Sequence, residues 1–459
     1  MDEKVVRETA VIALIPNDVI GPNMAGPGIR MWEFARVLSK QFQVHIIIPP
    51  IVAGNSAPVA PHDAIHLIIC HNQTDLRQQV QQCDIIVTRG VTLTAYPFLA
   101  QLGKPLVLDM YNTFVLEGLQ QMATAEEWQR ITTHERDLES LNTQLRVADF
   151  ILCASEKQRD YWLGVLSALG RVNPYTHHQD HSLRQLIDVV PFGLPQEAPR
   201  QTKPVLKGVY KNIAPNDKVI LWSGGIWNWL DAETLIRAMH LIQQERNDVK
   251  LFFMGIKRPN SSIAKLDAVE RAIHLSQELK LTDRSVYFND WVPYHERQNY
   301  LLEADIGVSL HLDHIETRFS FRTRLLDHLW AGLPTIATKG DVMGELLAHH
   351  GLARLCIPGD VEGIAQAILE WADTPNLRTD LAAQFHQVAN QFQWEIVTKP
   401  LVDFCQMPHF APDKQKLQLS SQAKNRSLFG KGWNALQLGG FSGLWQEVRN
   451  YWQWKTSRG

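Results

Sequence analysis

The sequence predicts an α/β protein built from two doubly wound domains in tandem. Short apolar runs rich in β-branched residues alternate with longer segments of helical periodicity, as in parallel sheets whose strands are joined by helices. The runs are apolar throughout rather than at every second residue, which indicates that helices cover both faces of each sheet. The alternation pauses once, at residues 191–217, and then resumes as a second series.

The first series precedes this pause. Its predicted strands are Val11–Ile15, Val44–Ile48, Ile65–Ile69, Asp84–Val87, Pro105–Leu108, Phe150–Cys153 and Asp188–Val190, and two predicted helices are Pro27–Lys40 and Ala125–Ala148. Residues 191–217 contain several prolines and charges but no long apolar run, which is typical of a connection between domains.

The second series follows the connection. Its predicted strands are Lys218–Trp222, Val249–Met254, Ser285–Phe288, Asp305–Leu310, Thr335–Ala337 and Arg354–Ile357. Its predicted helices are Asp231–Gln244, Ala264–Leu279, Tyr294–Glu303, Arg322–Trp330, Val361–Ala372 and Asn376–Asn390. Ligands of such domains bind beyond the carboxyl ends of the strands, and we expect the two domains to face each other across a cleft.

The composition excludes several classes of protein. The 459 residues include 45 Lys and Arg against 48 Asp and Glu, so the chain lacks the excess positive charge of a general nucleic-acid binder. The five cysteines lie far apart and form no C-x-x-C pair, which favours buried thiols in a reducing cytosol over a zinc cluster or a disulfide framework. The first residues do not resemble a signal peptide, and no run approaches ~18 apolar residues, so we expect no transmembrane helix.

The last residues have a different composition. Residues 414–459 contain eight basic residues and one acidic residue, together with Trp433, Trp445, Trp452 and Trp454. Cationic and aromatic side chains together suit an anionic membrane surface. The alternative is a tail that packs on its own domain, since the glycines at 439, 440 and 443 interrupt any long amphipathic helix.

A glycine-containing loop follows the first predicted strand. Gly26 and Gly28 allow backbone to approach a ligand closely, and Pro27 suits the first turn of a helix whose free N–H groups attract an anion. Arg30 follows on that helix. The spacing departs from the G-x-G-x-x-G dinucleotide pattern, so a tight turn without a ligand is the alternative.

Two arginines near the start of a late helix are the most informative residues of the chain. The helix is predicted to begin near Ser320, as its N-cap, and to end at Gly332, which places Arg322 and Arg324 in the first turn. Cations there oppose the positive end of the helix dipole. A bound diphosphate would reverse the sign of that interaction and pair with both guanidinium groups.

The alternative for this arginine pair is a structural ion network. Glu316, Asp313 and Asp327 are the carboxylates close enough in sequence to form it. Asp327, one turn after Arg324, has two interpretations of its own: it accepts hydrogen bonds from a ribose diol, or it pairs with Arg324.

Other candidate residues follow predicted strands of the second domain. Gly224 and Gly225 come directly after the first of these strands and allow close backbone approach, although a glycine turn capped by core tryptophans is the alternative. Lys257 follows the second strand and is a further candidate cation. Because exposed cations are common in loops, an ordinary surface lysine is the alternative. Trp291 follows the third and could stack on a base or belong to the core.

Several segments together resemble the family 4 glycosyltransferases, or group 1 glycosyl transferases. The similar segments, in that family's order, are AGPGIRMWEFARVL, VVPFGLP, VILWSGGIWNWLDAETLIRAM, LFFMGIKRPN, VYFNDWVPYHER, LLEADIGVSL and LLDHLWAGLPTIAT. They span most of the chain, and SFRTRLLD, SEKQRDYW and PLVLDMYN resemble a bacterial subgroup often found among surface-polysaccharide genes.

The resemblance implies the GT-B fold, with two tandem Rossmann-like domains facing a cleft. We then expect a first, acceptor-side domain of residues 1–197, a linker of residues 198–217 and a second, nucleotide-sugar-binding domain of residues 218–393. A helix of residues 394–410 is expected to cross back to the first domain, followed by the basic, tryptophan-rich tail of residues 411–459.

The resemblance also implies an activity: transfer of a sugar, a hexose or a related one, from a nucleotide diphosphate sugar, usually with retention and without a metal or other cofactor. The residues expected to bind this donor are Gly26, Gly28, Arg30, Gly224, Gly225, Lys257, Trp291, Arg322, Arg324 and Asp327. The family usually has two glutamates with seven residues between them, and here Phe319 and Asp327 occupy those positions. Glu316 is therefore expected to orient the transferred sugar, and Asp109, near the position of the family's histidine, is the second predicted catalytic residue.

The expected partners are the nucleotide-sugar donor, a glycan or lipid-linked acceptor and an anionic membrane surface that residues 414–459 would contact, but no nucleic acid. The expected location is the cytoplasm, at the inner face of the cell membrane. Two alternatives are an inactive, donor-binding scaffold of a polysaccharide assembly complex, suggested by Phe319, and a nucleotide-sugar epimerase of the same fold.

Overall fold

A computed structural model of the chain describes residues 9–21, 24–53, 64–256, 267–414, 436 and 440–452. The chain divides into two compact units. The first unit combines Met1–Pro191 with Thr398–Gly459, and the second unit is Phe192–Val397. Each unit is built around its own parallel sheet, so the predicted α/β class with two sheets is confirmed.

The first unit contains a seven-stranded sheet in the order β3-β2-β1-β4-β5-β6-β7. Its strands are β1 (Val11–Ile15), β2 (Gln43–Ile48), β3 (Ile65–Ile69), β4 (Ile85–Arg89), β5 (Leu106–Asp109), β6 (Phe150–Cys153) and β7 (Ile187–Val189). Its helices before the second unit are α1 (Gly26–Leu38), α2 (Pro50–Ala53), α3 (Gln73–Gln81), α4 (Thr92–Ala95), α5 (Phe114–Gln121), α6 (Glu127–Val147), α7 (Glu156–Ala168) and α8 (Pro174–Gln179). The central strands β1 and β4 are buried at every residue, as their apolar runs predict.

The second unit contains a six-stranded sheet in the order β10-β9-β8-β11-β12-β13. Its strands are β8 (Lys218–Trp222), β9 (Val249–Phe253), β10 (Val286–Phe288), β11 (Ile306–Ser309), β12 (Thr335–Thr338) and β13 (Ala353–Cys356). Its helices are α9 (Ala232–Glu245), α10 (Asp267–Glu278), α11 (Arg297–Glu303), α12 (Ile315–Phe319), α13 (Thr323–Ala331), α14 (Val342–His349), α15 (Val361–Asp373), α16 (Leu377–Asp380), α17 (Ala382–Ala389) and α18 (Trp394–Val397). The helix predicted over residues 376–390 is therefore two helices.

The segment predicted as a linker, residues 198–217, packs closely on the second unit. The carboxylate of Glu303 in α11 accepts hydrogen bonds from the backbone N–H groups of Val205, Leu206 and Lys207. Leu206 and Ile213 are buried in the same apolar cluster as strand β8. This segment thus contributes to the core of the second unit.

The end of the chain packs on the first unit through a helix and two ion pairs. The ring of Phe404, in α19 (Lys399–Gln406), stacks on Phe150 with centroids 5.0 Å apart. The buried guanidinium of Arg171 donates to Asp413, with its Nε 2.7 Å from the carboxylate. Lys414 Nζ lies 2.6 Å from the carboxylate of Asp149, so the first cation of the predicted basic tail is held by the first unit rather than displayed for a partner.

Residues 440–452 are helical, although the glycines there suggested an interruption. Phe441, Trp445, Val448 and Trp452 recur at the spacing of one helical face, and all four are exposed, Phe441 to 83% and Trp445 to 73%. Among the described residues, no helix combines the length and apolarity needed to cross a bilayer.

Candidate functional site

The candidate site lies at the point where the strand order of the second sheet reverses, between β8 and β11. Open α/β sheets bind ligands at such a point, outside the carboxyl ends of the strands. The residues that follow β8 are Ser223, Gly224 and Gly225. Gly224 has a φ of 101°, a backbone conformation that side chains rarely allow, so glycine is required for this turn.

His328, on α13, holds this turn in place. Its Nε2 atom lies 2.7 Å from Ser223 Oγ, and its Nδ1 atom lies 3.0 Å from Thr335 Oγ1. Gly307 in β11 makes room for the ring, since a Cβ atom there would lie 2.6 Å from it. Burial, with a smaller contribution from the charge of Arg324, lowers the pKa of His328 to about 3, so the imidazole is neutral at pH 7. Sequence analysis missed this residue; the isolated glycine in the predicted strand LLEADIGVSL was the available signal.

Arg324 lies against the same turn. Its Nη2 atom donates to the carbonyl oxygen of Gly225 at 2.8 Å, and its guanidinium carbon lies 4.8 Å from the centroid of the Trp222 ring. Its Nη1 atom is buried and has no hydrogen-bond partner. Burial, and next the repulsion of Arg322, lower the pKa of Arg324 to about 9. Arg324 is thus a desolvated cation whose free donor lies beside the glycine turn.

Arg322 is paired, unlike its neighbour. Its Nη1 and Nη2 atoms donate to the two carboxylate oxygens of Glu316 at 3.0 and 2.6 Å, and both side chains are buried. Its Nε atom is buried without a partner. The ion pair that sequence analysis held open as an alternative is therefore present for Arg322 and absent for Arg324, among the described residues.

The helix start also differs from the prediction. Ser320 ends α12 rather than capping α13, and its hydroxyl donates to the carbonyl oxygen of Thr317. α13 begins at Thr323, with Arg322 as an N-cap residue whose side chain makes no capping hydrogen bond, and ends at Gly332 as predicted. Arg324 therefore lies in the first turn of a helix whose amino terminus has no side-chain cap, where an anion is stabilised.

Asp327, predicted to bind the donor with pairing to Arg324 as the alternative, pairs with Arg297 instead. Its carboxylate accepts from Arg297 Nε at 3.0 Å, and the Arg297 guanidinium also lies over the rings of Tyr294 and Trp330. Pairing with Arg324 is thus not observed, because Asp327 faces α11.

The two remaining predicted donor-binding residues of this unit have different outcomes. Trp291 packs against Gly255 at the end of β9, where a Cβ atom would lie 3.0 Å from its ring, and its Nε1 atom is buried without a partner. Lys257 lies outside the described residues.

A buried polar pair that sequence analysis missed lies after β11. His311 Nε2 is 3.6 Å from Asp341 Oδ2, and both side chains are fully buried. The other oxygen of Asp341 caps α14 by accepting from the N–H groups of Met343 and Gly344. No spacing in the sequence HLDHIE distinguishes His311 from the exposed residues Leu312 and Asp313 that follow it.

In the first unit, the predicted residues Arg30 and Asp109 bind each other. Arg30 Nε and Nη2 donate to the two oxygens of Asp109, each at 2.9 Å, and Arg30 also donates to the carbonyl oxygens of Val190 and Pro191. Both side chains are fully buried. This geometry joins α1, β5 and the end of β7, so it gives both residues a structural role and supports neither donor binding by Arg30 nor catalysis by Asp109.

Gly26 and Gly28 lie at the start of α1, as predicted. A Cβ atom at Gly28 would lie 2.1 Å from the carbonyl oxygen of Val19, so this glycine is required by the packing of the loop itself. A Cβ atom at Gly26 would lie 3.5 Å from the Tyr111 hydroxyl. Gly28 thus fits the tight-turn alternative, whereas Gly26 is open to backbone approach.

Comparison with known proteins finds a family model that matches part of the second unit. Residues 217–374 match the family model described as Glycosyl transferases group 1. No curated protein sequence matches the chain.

The solved structures that are similar to the chain share its fold at low identity. The sucrose-phosphate synthase of Thermosynechococcus elongatus is 16% identical, with 86% of this chain and 98% of that chain covered and a TM-score of 0.60. HepE of Anabaena, in complex with UDP-glucose, is 14% identical over 86% of this chain and 99% of that chain, with a TM-score of 0.59. WaaG, a glycosyltransferase involved in lipopolysaccharide biosynthesis, is 14% identical with the same coverages and a TM-score of 0.57. With the two parallel sheets described above, these matches show the GT-B fold, and residues 217–374 contain a domain of the group 1 glycosyl transferases.

Proposed function

We propose that the protein transfers a hexose or related sugar from a nucleotide diphosphate sugar to a glycan, a lipid-linked glycan or a small molecule, with retention of the anomeric configuration and without a metal ion. One observation carries this proposal: the Nη1 atom of Arg324 is a buried donor without a partner, beside the Gly224–Gly225 turn and the uncapped start of α13. A buried, unpaired cation is costly, and a diphosphate would compensate it.

The same arrangement suits the chemistry of sugar transfer. Negative charge grows on the diphosphate as the glycosidic bond breaks, so fixed donors around it stabilise the transition state more than the ground state. Arg324 supplies such a donor, and the amino terminus of α13 adds its dipole. These groups can supply the positive charge that a metal ion provides in other enzymes, which supports the metal-independent part of the proposal.

Within this proposal, Glu316 is a positioning residue. Both of its carboxylate oxygens accept from Arg322, which fixes that guanidinium and leaves its Nε atom free. Any contact of Glu316 with the transferred sugar would use the remaining lone pairs of these oxygens. The choice of UDP-glucose as the first donor to test comes from HepE of Anabaena, whose structure contains it.

The test is a panel of nucleotide sugars, beginning with UDP-glucose, measured by thermal shift and then by release of nucleoside diphosphate. We expect one donor to raise the melting temperature by several degrees, since a ligand that binds only the folded state stabilises it. We expect the same donor to be hydrolysed slowly in water, and faster when an acceptor is added.

The alternatives give different results in the same assays. A donor that binds but is never consumed with any acceptor of a glycan and lipid-linked panel would favour the scaffold. Conversion of the donor to an epimer without release of nucleoside diphosphate, followed by nuclear magnetic resonance, would favour the epimerase. Either outcome would contradict the proposed transfer.

We also propose that the protein works at the inner face of the cell membrane, in polysaccharide assembly. The helix of residues 440–452 exposes Phe441, Trp445, Val448 and Trp452 on one face, and residues 414–459 are rich in Lys and Arg. Exposed aromatic side chains beside a cationic segment suit an interface with anionic lipids.

Vesicle sedimentation tests this location. Wild-type protein should sediment with vesicles of phosphatidylcholine and phosphatidylglycerol, and the double variant Phe441→Ser, Trp445→Ser should bind them about tenfold more weakly, because apolar burial at the interface is lost. Ile357→Ser, which alters an exposed apolar residue of the second unit, is the control. Unchanged binding of the double variant, or equal binding of wild type to vesicles without phosphatidylglycerol, would contradict the proposal.

A further inference from the structure

The first unit has a switch point of its own. Its strand order reverses between β1 and β4, so the crevice at the carboxyl ends of these strands is where its fold places a ligand. The loops after the two strands meet there, since a Cβ atom at Gly90 would lie 1.9 Å from the amide nitrogen of Asn17. The polar residues of this crevice were not among the sequence predictions.

Arg89, the last residue of β4, is a buried cation at this point. Arg89 is 5% exposed, and its Nε and Nη1 atoms have no hydrogen-bond partner. Its Nη2 atom donates to Asn112 Oδ1 at 3.1 Å. Among the described residues it forms no ion pair, and the carboxylate in register with it on β5, Asp109, is occupied on both oxygens by Arg30.

The surroundings of Arg89 fix the guanidinium without neutralising it fully. It lies over the ring of Tyr111, 4.5 Å from the centroid. Asn112, which accepts from Arg89, in turn donates to Glu117 at 2.7 Å, so an amide lies between this carboxylate and the guanidinium. The buried Asn17 Oδ1 and Thr113 Oγ1 also lack partners, which marks a polar crevice rather than an apolar one.

The amino terminus of α1 opens beside the same tyrosine. The Tyr111 hydroxyl lies 3.5 Å from the position of a Cβ atom on Gly26, the first residue of this 13-residue helix, which has no side-chain cap. Burial raises the pKa of Tyr111, so its hydroxyl keeps its proton and can donate. A helix start, a phenol and two free guanidinium nitrogens together match the preferences of an oxyanion.

We propose that Arg89, Tyr111 and the first turn of α1 bind a phosphate group of the acceptor. This inference rests on the proposed function, in which Arg324 and α13 of the second unit already account for the diphosphate of the donor. The cationic site at Arg89 would then bind a different anion. An acceptor that carries a phosphate group, such as a sugar phosphate or a lipid-linked phosphate, contains a suitable one.

The test is a calorimetric titration of the full chain with inorganic phosphate, in the presence and absence of saturating uridine diphosphate. We expect phosphate to bind equally well in both conditions, and to bind about tenfold or more weakly to Arg89→Gln, because a charge-assisted donor is lost. Arg89→Lys, which keeps the charge, should lose less. Arg36→Gln, which removes an exposed arginine from the other end of α1, should bind phosphate as wild type does.

Other results would overturn this inference. Unchanged phosphate binding by Arg89→Gln would remove Arg89 from any anion site. Competition between phosphate and uridine diphosphate, with loss of both in Arg89→Gln, would assign the site to the donor instead. If uridine diphosphate and every other nucleotide fail to bind wild type while phosphate binding still depends on Arg89, the proposed function fails and the anion site remains. Circular dichroism of each variant checks that it is folded.

Discussion

The guanidinium of Arg324 lies between the Trp222 ring and the carbonyl of Gly225, and one of its nitrogens has no partner. In a protein without a ligand for it, this side chain would be a net cost, because a buried charge loses its hydration. Arg322, two residues earlier, shows the usual solution, a bidentate pair with a carboxylate. The contrast between these neighbours supports the proposal that Arg324 binds an anion from outside the chain.

Replacing Arg324 by Gln should separate binding from stability. Affinity for uridine diphosphate should fall about 10- to 100-fold, the usual value of a hydrogen bond to a charged group, and sugar transfer should fall further because the charge on the leaving group is greater in the transition state. The free energy of unfolding without ligand should change by less than about 1 kcal/mol, since a buried unpaired charge is removed. Calorimetric titration, turnover assays and urea unfolding measure the three quantities.

Arg271→Gln, which removes an exposed arginine that pairs with Glu233 in the same unit, is the control and should match wild type. Wild-type affinity and turnover in Arg324→Gln would exclude the proposed role of Arg324.

Individual site residues were predictable only where the local sequence is unfavourable for the structure it forms, as with a cation at the start of a helix. Arg322 and Arg324 attract notice from sequence because cations near a helix start oppose its dipole. Which of the two is paired could not be predicted, since the choice depends on the short helix α12 that brings Glu316 to Arg322. Arg89 and His328 violate no local rule, and only the tertiary structure reveals that both are buried.

At the scale of elements, β8, the turn after it and α13 act together. His328 connects α13 to the turn through Ser223 and to β12 through Thr335, while Gly307 of β11 leaves space for the ring. The arrangement requires a neutral imidazole, because the charged form would be buried beside Arg324. The geometry of the glycine turn is thereby coupled to the protonation of one histidine.

This coupling predicts a dependence of stability on pH. The folded-state pKa of His328, about 3, lies below its ordinary value of 6.5, so the unfolded chain binds up to about one more proton between these values. The contribution of this residue to stability is complete above pH 6.5 and declines as the pH falls towards 3. The free energy of unfolding, measured in urea as the pH is lowered from 7 to 4, should decline less steeply in His328→Gln than in wild type.

His349→Gln, a change at an exposed histidine on α14, should keep the wild-type slope. Equal slopes for wild type and His328→Gln would show that the imidazole is not buried in its neutral form.

The elements themselves were largely predictable from the sequence. The strands β1, β3, β6 and β8 have the predicted bounds, because each is a short, largely apolar run rich in β-branched residues or leucine. The start of α13 and the break between α16 and α17 were not predictable, since both depend on capping and packing by distant residues rather than on periodicity.

At the scale of the whole molecule, the first unit is assembled from two distant parts of the chain. Arg171 donates to Asp413 and to the carbonyl oxygens of Leu145 and Ala148 at the end of α6, and Asp149 accepts from Lys414 and from the N–H of Ala411. These pairs were not predictable from the sequence, because more than 240 positions separate Arg171 from Asp413.

Truncating Asp413 should therefore destabilise the first unit selectively. Asp413→Ala leaves the buried Arg171 without its carboxylate, a change that costs about 3–5 kcal/mol in other proteins. Asp403→Ala, which breaks an exposed pair with Lys399, should cost less than about 1 kcal/mol. Hydrogen exchange of β6 and β7, compared with that of β8 and β11, measures the effect; equal exchange in Asp413→Ala and wild type would contradict the structural role of this pair.

The contacts of Asp413 and Lys414 also have a consequence for the order of folding during synthesis. The second unit is one uninterrupted stretch of chain, whereas the first unit needs residues on both sides of it. While a ribosome is still translating residues 192–397, Arg171 and Asp149 have been made but their charged partners have not. The part of the protein that is translated first is therefore completed only after residues 411–414 have been made, whereas the second unit needs no residue beyond Val397.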